Sequence, residues 1–295
     1  VSLIRIPLDR PWTTPDFPIR NSIDAHLLAQ LRTLGIPPST TCNAAGFIRR
    51  ATQQIAGRLP TIDEVETFEQ DISATSRVKL VRRLINDRGY ADHFAQKWSG
   101  ILRNKRRGQS PRIPGTIAFH RWIRNAIAEN VPYDRFVRDI VTATGNVSVN
   151  PPSQWYAEVR YLDRYVDDSA QLFLGMRIGC ARCHHHPFEK ISQEDYYGIA
   201  AFFSRVDRKG GAGVAERRAN EAVFVKPTGE VKHPLSGDIV APHGLGQADL
   251  DIPSFEDPRH NFVDWMSAPE NPYFARAFVN RMWGHFFGRG LVDPI

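Results

Sequence analysis

The chain has 295 residues, 42% of them hydrophobic and 24% charged, and a formal net charge of +6. That is material for one large domain or two smaller ones, and no apolar run approaches the ~20 residues a membrane-crossing helix needs. The positive charge does not mark a nucleic-acid binder, because lysines and arginines are scattered among acids in most segments.

The two local basic concentrations, Arg103-Asn104-Lys105-Arg106-Arg107 and Glu216-Arg217-Arg218, read as solvated loops. The first is also a candidate contact for an acidic protein partner. Val1 to Arg5 has no apolar leader region and no initiator methionine, so the chain is expected to be a mature or excised one.

Prolines 7, 11, 15 and 18 make residues 1–20 an extended arm. Asn21-Ser22-Ile23-Asp24 then caps a helix to about Leu34, with Ile23, Leu27, Leu28 and Leu31 expected inward. A second helix covers about Cys42 to Ala56, facing Phe47, Ile48, Thr52 and Ile55 inward. Thr61 and Glu64 spell a capping box that opens a third. Helices at about 73–86, 90–103 and 115–129 follow, the last two carrying the apolar stripes Phe94, Trp98, Ile101, Leu102 and Phe119, Trp122, Ile123, Ile127. Asn130-Val131-Pro132-Tyr133-Asp134 turns the chain into a short helix through Phe136, Val137 and Ile140.

Residues 145–153 read as a connection, 167–176 as a helix and 192–205 as another, started by Ser192 and Asp195. A Gly/Lys/Arg loop at 207–213 precedes alternation at Glu221–Val225 and Val231–Pro234 around a Pro227–Glu230 turn, the pattern of a β-hairpin, with a short strand at 238–241. The last helices are expected at 261–266 and 271–287, stopped by Gly288. The fold class is therefore mainly α, a multi-helix domain with a small β-hairpin insertion. Four regions follow: an arm at 1–20, a helical domain at 21–206, a loop and hairpin region at 207–260, and the start of a further helical domain at 261–295.

Between two of these helices stands Gly179-Cys180-Ala181-Arg182-Cys183-His184-His185-His186-Pro187. Cys180, Cys183 and His184 have the C-x-x-C-H spacing of covalent c-type haem attachment. Two thiols one turn apart can each add to a haem vinyl group, and the following imidazole can ligate the iron. Cys180, Cys183 and His186 equally form C-x-x-C-x-x-H, three corners of a zinc or iron tetrahedron that needs a remote fourth ligand such as His285. A redox disulfide and a pair of buried thiols are the remaining readings. Cys42, the odd cysteine, reads as a small buried residue.

The run from Phe173 through Glu189 followed by Gln193-Glu194-Asp195-Tyr196-Tyr197 resembles the planctomycete-type cytochrome c family, whose members carry a C-x-x-C-H-x-H-P domain. Gly57-Arg58-Leu59-Pro60-Thr61 with Glu64-Val65 is similar to an early motif of that domain, and Asn130 to Phe136 to a middle one. Asn271 through Gly290 resembles the opening of the family's following domain, which normally continues further, so the chain is expected to be truncated. The resemblance implies a haem-binding domain, one covalent haem c, an address outside the cytoplasm and no defined reaction.

The resulting expectation is a periplasmic or extracellular monohaem cytochrome domain in electron transfer, working with a redox protein partner or by self-association, and with no transmembrane segment. Cys180 and Cys183 would carry the haem and His184 would be the proximal ligand. For the sixth position His285 is favoured over His120, Met266 and Met282. His186, tethered two residues past His184, is expected beside the haem edge, hydrogen-bonded to a propionate or a backbone carbonyl. A zinc- or iron-binding module of an enzyme and a structural or assembly component are the alternatives.

Overall fold

A computed structural model describes residues 19–71, 73–104, 113–210 and 221–293. The arm before residue 19, most of the first basic run and all of the second lie outside the described residues. The chain is mainly helical, with small antiparallel sheets.

Helix α1 (Ser22–Thr33) starts where expected, the Asn21 side chain accepting from the Asp24 N–H at 2.9 Å. Its apolar stripe does not go inward: Ile23 and Leu27 are about half exposed, and no residue of α1 is buried. Helical period is a local property, whereas burial needs a second surface, and no described element covers this one.

Helices α2 (Ala44–Ala56), α3 (Ile62–Gln70) and α4 (Ser76–Ile85) enclose a small core built on Ile48, Ile55, Phe68, Leu80 and Leu84. The capping box of α3 is formed in both directions, Thr61 with Glu64. Glu64 does more: Arg58 grips its carboxylate with a fork of 2.7 and 2.9 Å, and Asp87 and Arg83 stand at 3.4 and 3.6 Å from the pair.

The larger core begins at α5 (Arg88–Ile101), which packs along α6 (Ile113–Ala128). It continues through α7 (Tyr133–Val141), α8 (Gln154–Glu158), α9 (Leu162–Ser169), α10 (Gln193–Phe203) and α11 (Pro258–Ser267) to the first residue of α12 (Phe274–Phe287). Trp155, Tyr156, Tyr196, Phe119, Phe173, Phe202, Phe203 and Phe262 are among its large aromatic members and are essentially inaccessible. Eight of the eleven residues of α10 are buried, which makes it the central helix. Gly198 on α10 has to be glycine, because a Cβ there would lie 2.4 Å from the His243 ring.

The strands differ from expectation. Val206–Lys209 (β2) lies where a loop was expected, and Gly145–Asn146 (β1) within an expected connection. Both pair antiparallel with Ala222–Val225 (β3), in the order β1-β3-β2. Val231–Lys232 (β4) pairs instead with Ile239–Val240 (β5), so the 221–234 hairpin does not form. The turn between the two segments is taken by the end of α10: the Ser204 hydroxyl donates to the Gly229 carbonyl at 3.0 Å, and a Cβ on Gly229 would meet the Ser204 carbonyl oxygen at 2.5 Å. Docked there, the chain leaves in a direction that carries β4 away from β3. Alternation identifies strands, but a tertiary anchor chose their partners.

One buried charge ties the C-terminal helices to the rest. Arg259, in the first turn of α11, is wholly inaccessible. It donates to both carboxylate oxygens of Asp257 and to the carbonyls of Val141, Thr142 and Ala143 at the end of α7. Those carbonyls have no helical partner of their own, so the guanidinium supplies what the helix end lacks.

Two predictions follow from these pairs. Arg259→Leu strips the guanidinium from the half-buried Asp257 carboxylate and leaves the Thr142 and Ala143 carbonyls without it, and should cost about 3–5 kcal/mol in denaturant unfolding; a loss below about 1 kcal/mol would mean the cluster is dispensable. The Arg58 hydrogen bonds hold the Glu64 carboxyl down to about 2 from an ordinary 4.5, against an opposing effect of burial. A lowered carboxylate stabilises the fold above its unfolded pKa, and that contribution disappears as pH falls from about 4.5 to about 2. With side chains 37% and 20% exposed, solvent screening reduces the effect to about 1–2 kcal/mol. Glu64→Gln should therefore flatten the acid limb of Tm against pH, while an unchanged limb would assign it to other groups.

Candidate functional site

The cysteine motif is delivered by a break in regular helix. The helix expected at 167–176 is α9 from Leu162, prolonged by one π-helical turn over Ala170–Leu174. Gly175 closes that turn at φ 68°, and a Cβ on it would come within 3.1 Å of the Ala277 methyl on α12. Both facts require glycine there. The lead-in to the cysteines is thus seated directly on the C-terminal helix.

Gly179–Arg182 is a 3₁₀ turn whose inner side is Ile178 and Ala181, 1% and 0% exposed. That pair anchors the turn, and its outer side carries Cys180 and Cys183 as exposed free thiols. The N–H groups of Cys183 and His184 both donate to the Cys180 carbonyl, at 3.2 and 3.4 Å, which holds the C-x-x-C-H segment wound. The alternative reading of a pair of buried thiols is not what the structure has. Beyond it the backbone bends, as Pro187 requires of the residue before it. It returns through a hydrogen bond from the His186 N–H to the Ile191 carbonyl at 2.9 Å.

Helix α10 clamps the turn from beneath. The buried Gln193 amide donates to the Arg182 carbonyl at 2.9 Å, and the Tyr197 hydroxyl donates to the same oxygen at 3.1 Å. Arg182 itself faces outward, its guanidinium 2.6 Å from Asp163. Its pKa is raised first by a hydrogen bond to Cys183, with the Tyr196 and Asp163 charges adding. Asp167 of α9 lies against Gly179, where a Cβ would be 3.2 Å from its carboxylate, and accepts a hydrogen bond from Tyr196.

The three histidines differ in which ring nitrogen is spent. His185 Nδ1 accepts from the Gln193 N–H at 3.1 Å. His186 Nδ1 accepts from the N–H groups of Glu189 and Phe188, at 3.0 and 3.3 Å. In both rings the neutral form therefore carries its proton on Nε2, which leaves no lone pair for a metal. His184 is the reverse: its Nδ1 stands 2.8 Å from the His185 carbonyl, an acceptor only, so Nδ1 carries the proton and the exposed Nε2 keeps its lone pair. Orientation of a ligating imidazole through its other nitrogen onto a carbonyl is the usual arrangement at metal sites. Because the His186 Nδ1 receives two amide protons, the bond expected from His186 to a propionate or a backbone carbonyl falls to its Nε2.

The remote candidates are held elsewhere. His285 Nε2 is 2.9 Å from the Gln54 carbonyl on α2, and its ring packs on Phe94 and His93 of α5. His120 pairs with Ser99 at 2.9 Å, Met266 is fully buried in the main core, and Met282 lines a cavity among α2, α5 and α12. Among the described residues no group of three or more His, Cys, Asp or Glu side chains is gathered as a metal centre. Arg182 and Gln193 stand in the motif that carries the resemblance, but sequence alone gives neither them nor Asp167 a role in supporting the turn. Their importance comes from α9 and α10 meeting under the cysteine turn.

A family model described as a protein of unknown function, DUF1549, matches residues 22–208, well over half of the chain. The chain belongs to this family. DUF1549 domains are typical of planctomycete-type proteins, and the match itself assigns no cytochrome c family. A second model, DUF1553, also a protein of unknown function, matches residues 258–295, the region of α11 and α12. No curated protein and no solved structure matches this DUF1549 chain.

Burial raises the Asp167 carboxyl above its ordinary 3.8, with the nearby Asp163 charge adding. A raised carboxyl is best tolerated protonated, so its contribution is fully present below pH 3.8 and is lost as pH rises through the folded value. Asp167→Asn should gain in Tm relative to the parent as pH is raised from 3 to 7. A constant difference across that range would show that the Asp167 charge is not penalised under the cysteine turn.

Proposed function

We propose that this DUF1549 chain is a c-type haem carrier, with Cys180 and Cys183 as thioether attachment points and His184 as the iron's proximal ligand. The single observation that carries the reading is the tautomer set by the backbone: of the three consecutive imidazoles, His184 alone is oriented through Nδ1 with Nε2 unencumbered. The donor set fits the group, since both thiols of the C-x-x-C pair are reduced, outward and on one anchored turn. When bound, the haem would supply one-electron chemistry.

The chain's own residues perform the supporting tasks. Ile178 and Ala181 fix the turn, Gln193 and Tyr197 hold its carbonyl, and the His185 carbonyl aims the His184 ring. The zinc or iron reading through His186 is weaker, because that ring's Nδ1 is occupied by two amide protons and His285 is engaged with Gln54. Thioether attachment of haem is carried out outside the cytoplasm, so the same reading brings a periplasmic or extracellular address and a redox protein partner or self-association. No helix among the described residues is long and apolar enough to cross a membrane.

Co-expression with a c-type maturation system should give covalently red protein with a haemochrome spectrum of one haem per chain. Cys180→Ser with Cys183→Ser should abolish covalent haem, and His184→Ala should disturb the iron's spin state while His186→Ala leaves haem content intact. Colourless, correctly folded parent protein would overturn the proposal, and stoichiometric zinc in it would favour the metal-module reading.

A further inference from the structure

A second feature is separate from the cysteine turn. Between α2, α4, α5, α7 and α12 lies a cavity of about 600 Å³, within the ~300–1,000 Å³ typical of small-molecule sites. It stands where the small core of α2, α3 and α4 meets the larger one, and Tyr90, one of its lining residues, packs against both. Protein interiors are close-packed and rarely leave voids larger than a water molecule. A space of this size, walled by helices from both matched regions, therefore calls for an occupant.

Its wall is mainly apolar and aromatic, with Phe94, Trp98, Phe136, Phe278 and Met282 among the lining residues and no aspartate or glutamate. The polar residues offer an occupant little. The Tyr133 hydroxyl is sealed off, with essentially no accessible surface, so Tyr133 contributes its ring. The Gln54 side-chain amide donates to the Phe286 carbonyl at 3.2 Å. Arg50 and Asn130 are exposed, so their polar groups are solvated where the cavity opens. Cys42 lines it too, and is half-buried, not the small buried residue its sequence context implied. Its thiol, the Tyr90 hydroxyl and the Trp98 N–H are neutral groups, and none of them compensates an ion. Water is held in a cavity only where it finds several polar partners, and apolar cavities take apolar molecules instead.

We infer that the cavity binds an uncharged, largely apolar small molecule, its body packed against the aromatic wall between α2, α5 and α12. Such an occupant gains the burial of its own apolar surface and asks for no hydrogen bond that the wall does not supply. An ion in the same place loses its hydration and meets no opposite charge. The inference is independent of the haem reading and uses none of the cysteine-turn residues.

Fluorescence titration of the full chain with N-phenyl-1-naphthylamine tests it, beside 8-anilino-1-naphthalenesulfonate, the same ring system carrying a sulfonate. The uncharged probe should bind one per chain with blue-shifted emission, and the sulfonate about tenfold or more weakly, because its charge is desolvated without a partner. Ala51→Phe fills the cavity from α2 and Met282→Trp fills it from α12. Each should abolish saturable binding of the uncharged probe, and either variant suffices if circular dichroism shows that the other does not fold. Arg50→Gln should leave that binding as it is, since the Arg50 side chain is solvated. Absence of one-to-one binding of the uncharged probe, equal affinity for the sulfonate, a folded filling variant that binds like the parent, or a loss of binding in Arg50→Gln would each overturn the inference.

Discussion

The architecture depends on a buried guanidinium. Arg259 is out of reach of water, yet its N–H groups point at Asp257 and at the last carbonyls of α7. Its charge also lies over the Tyr156 ring at 5.2 Å, and the Tyr156 hydroxyl bonds the same Val141 carbonyl. An ion in that position is tolerable only when almost every proton has an acceptor, so the geometry of α7, α8 and the start of α11 is fixed together. Through that fixed corner the region matching DUF1553 is joined to the region matching DUF1549. Helix α12 can then lie against the lead-in to the cysteines at Gly175 and also wall the aromatic cavity.

The cysteine turn shows how an exposed reactive group is made definite. Its thiols and His184 face solvent, where side chains ordinarily sample many rotamers. The backbone beneath them is held by Ile178, Ala181 and the polar grip of α10. A turn built in this way presents its groups outward without leaving their spacing to chance. The Asp163–Arg182 pair beside it sets a local field of mixed sign next to Cys183.

Two charged clusters respond to pH in opposite senses. The carboxylate of Glu64 is favoured by its fork with Arg58, so acid removes its contribution. Asp167 is penalised by burial, so base removes its contribution. The helical cap of α3 is therefore the part at risk in acid, and the support of the cysteine turn the part at risk as the Asp167 carboxyl ionises.

The sequence by itself determined what depends on near neighbours along the chain. The capping boxes at Thr61 and Ser192 and the stop at Gly288 are made by residues within one turn of each other, so their chemistry is written locally. The helical periods of α2, α5 and α6, and the spacing of Cys180, Cys183 and His184, are of the same kind. Tertiary structure decided whatever needs a distant surface. It left the α1 stripe uncovered and gave β3 the partners β1 and β2 in place of β4. It converted the end of α9 to a π turn and sent His285 to the Gln54 carbonyl. Among the three adjacent histidines it set only the His185 contact, with the Gln193 N–H of α10, whereas the Nδ1 groups of His184 and His186 meet backbone one to three residues away. A residue's type and period are carried by the chain, but the occupancy of its hydrogen bonds belongs to whichever element folds against it.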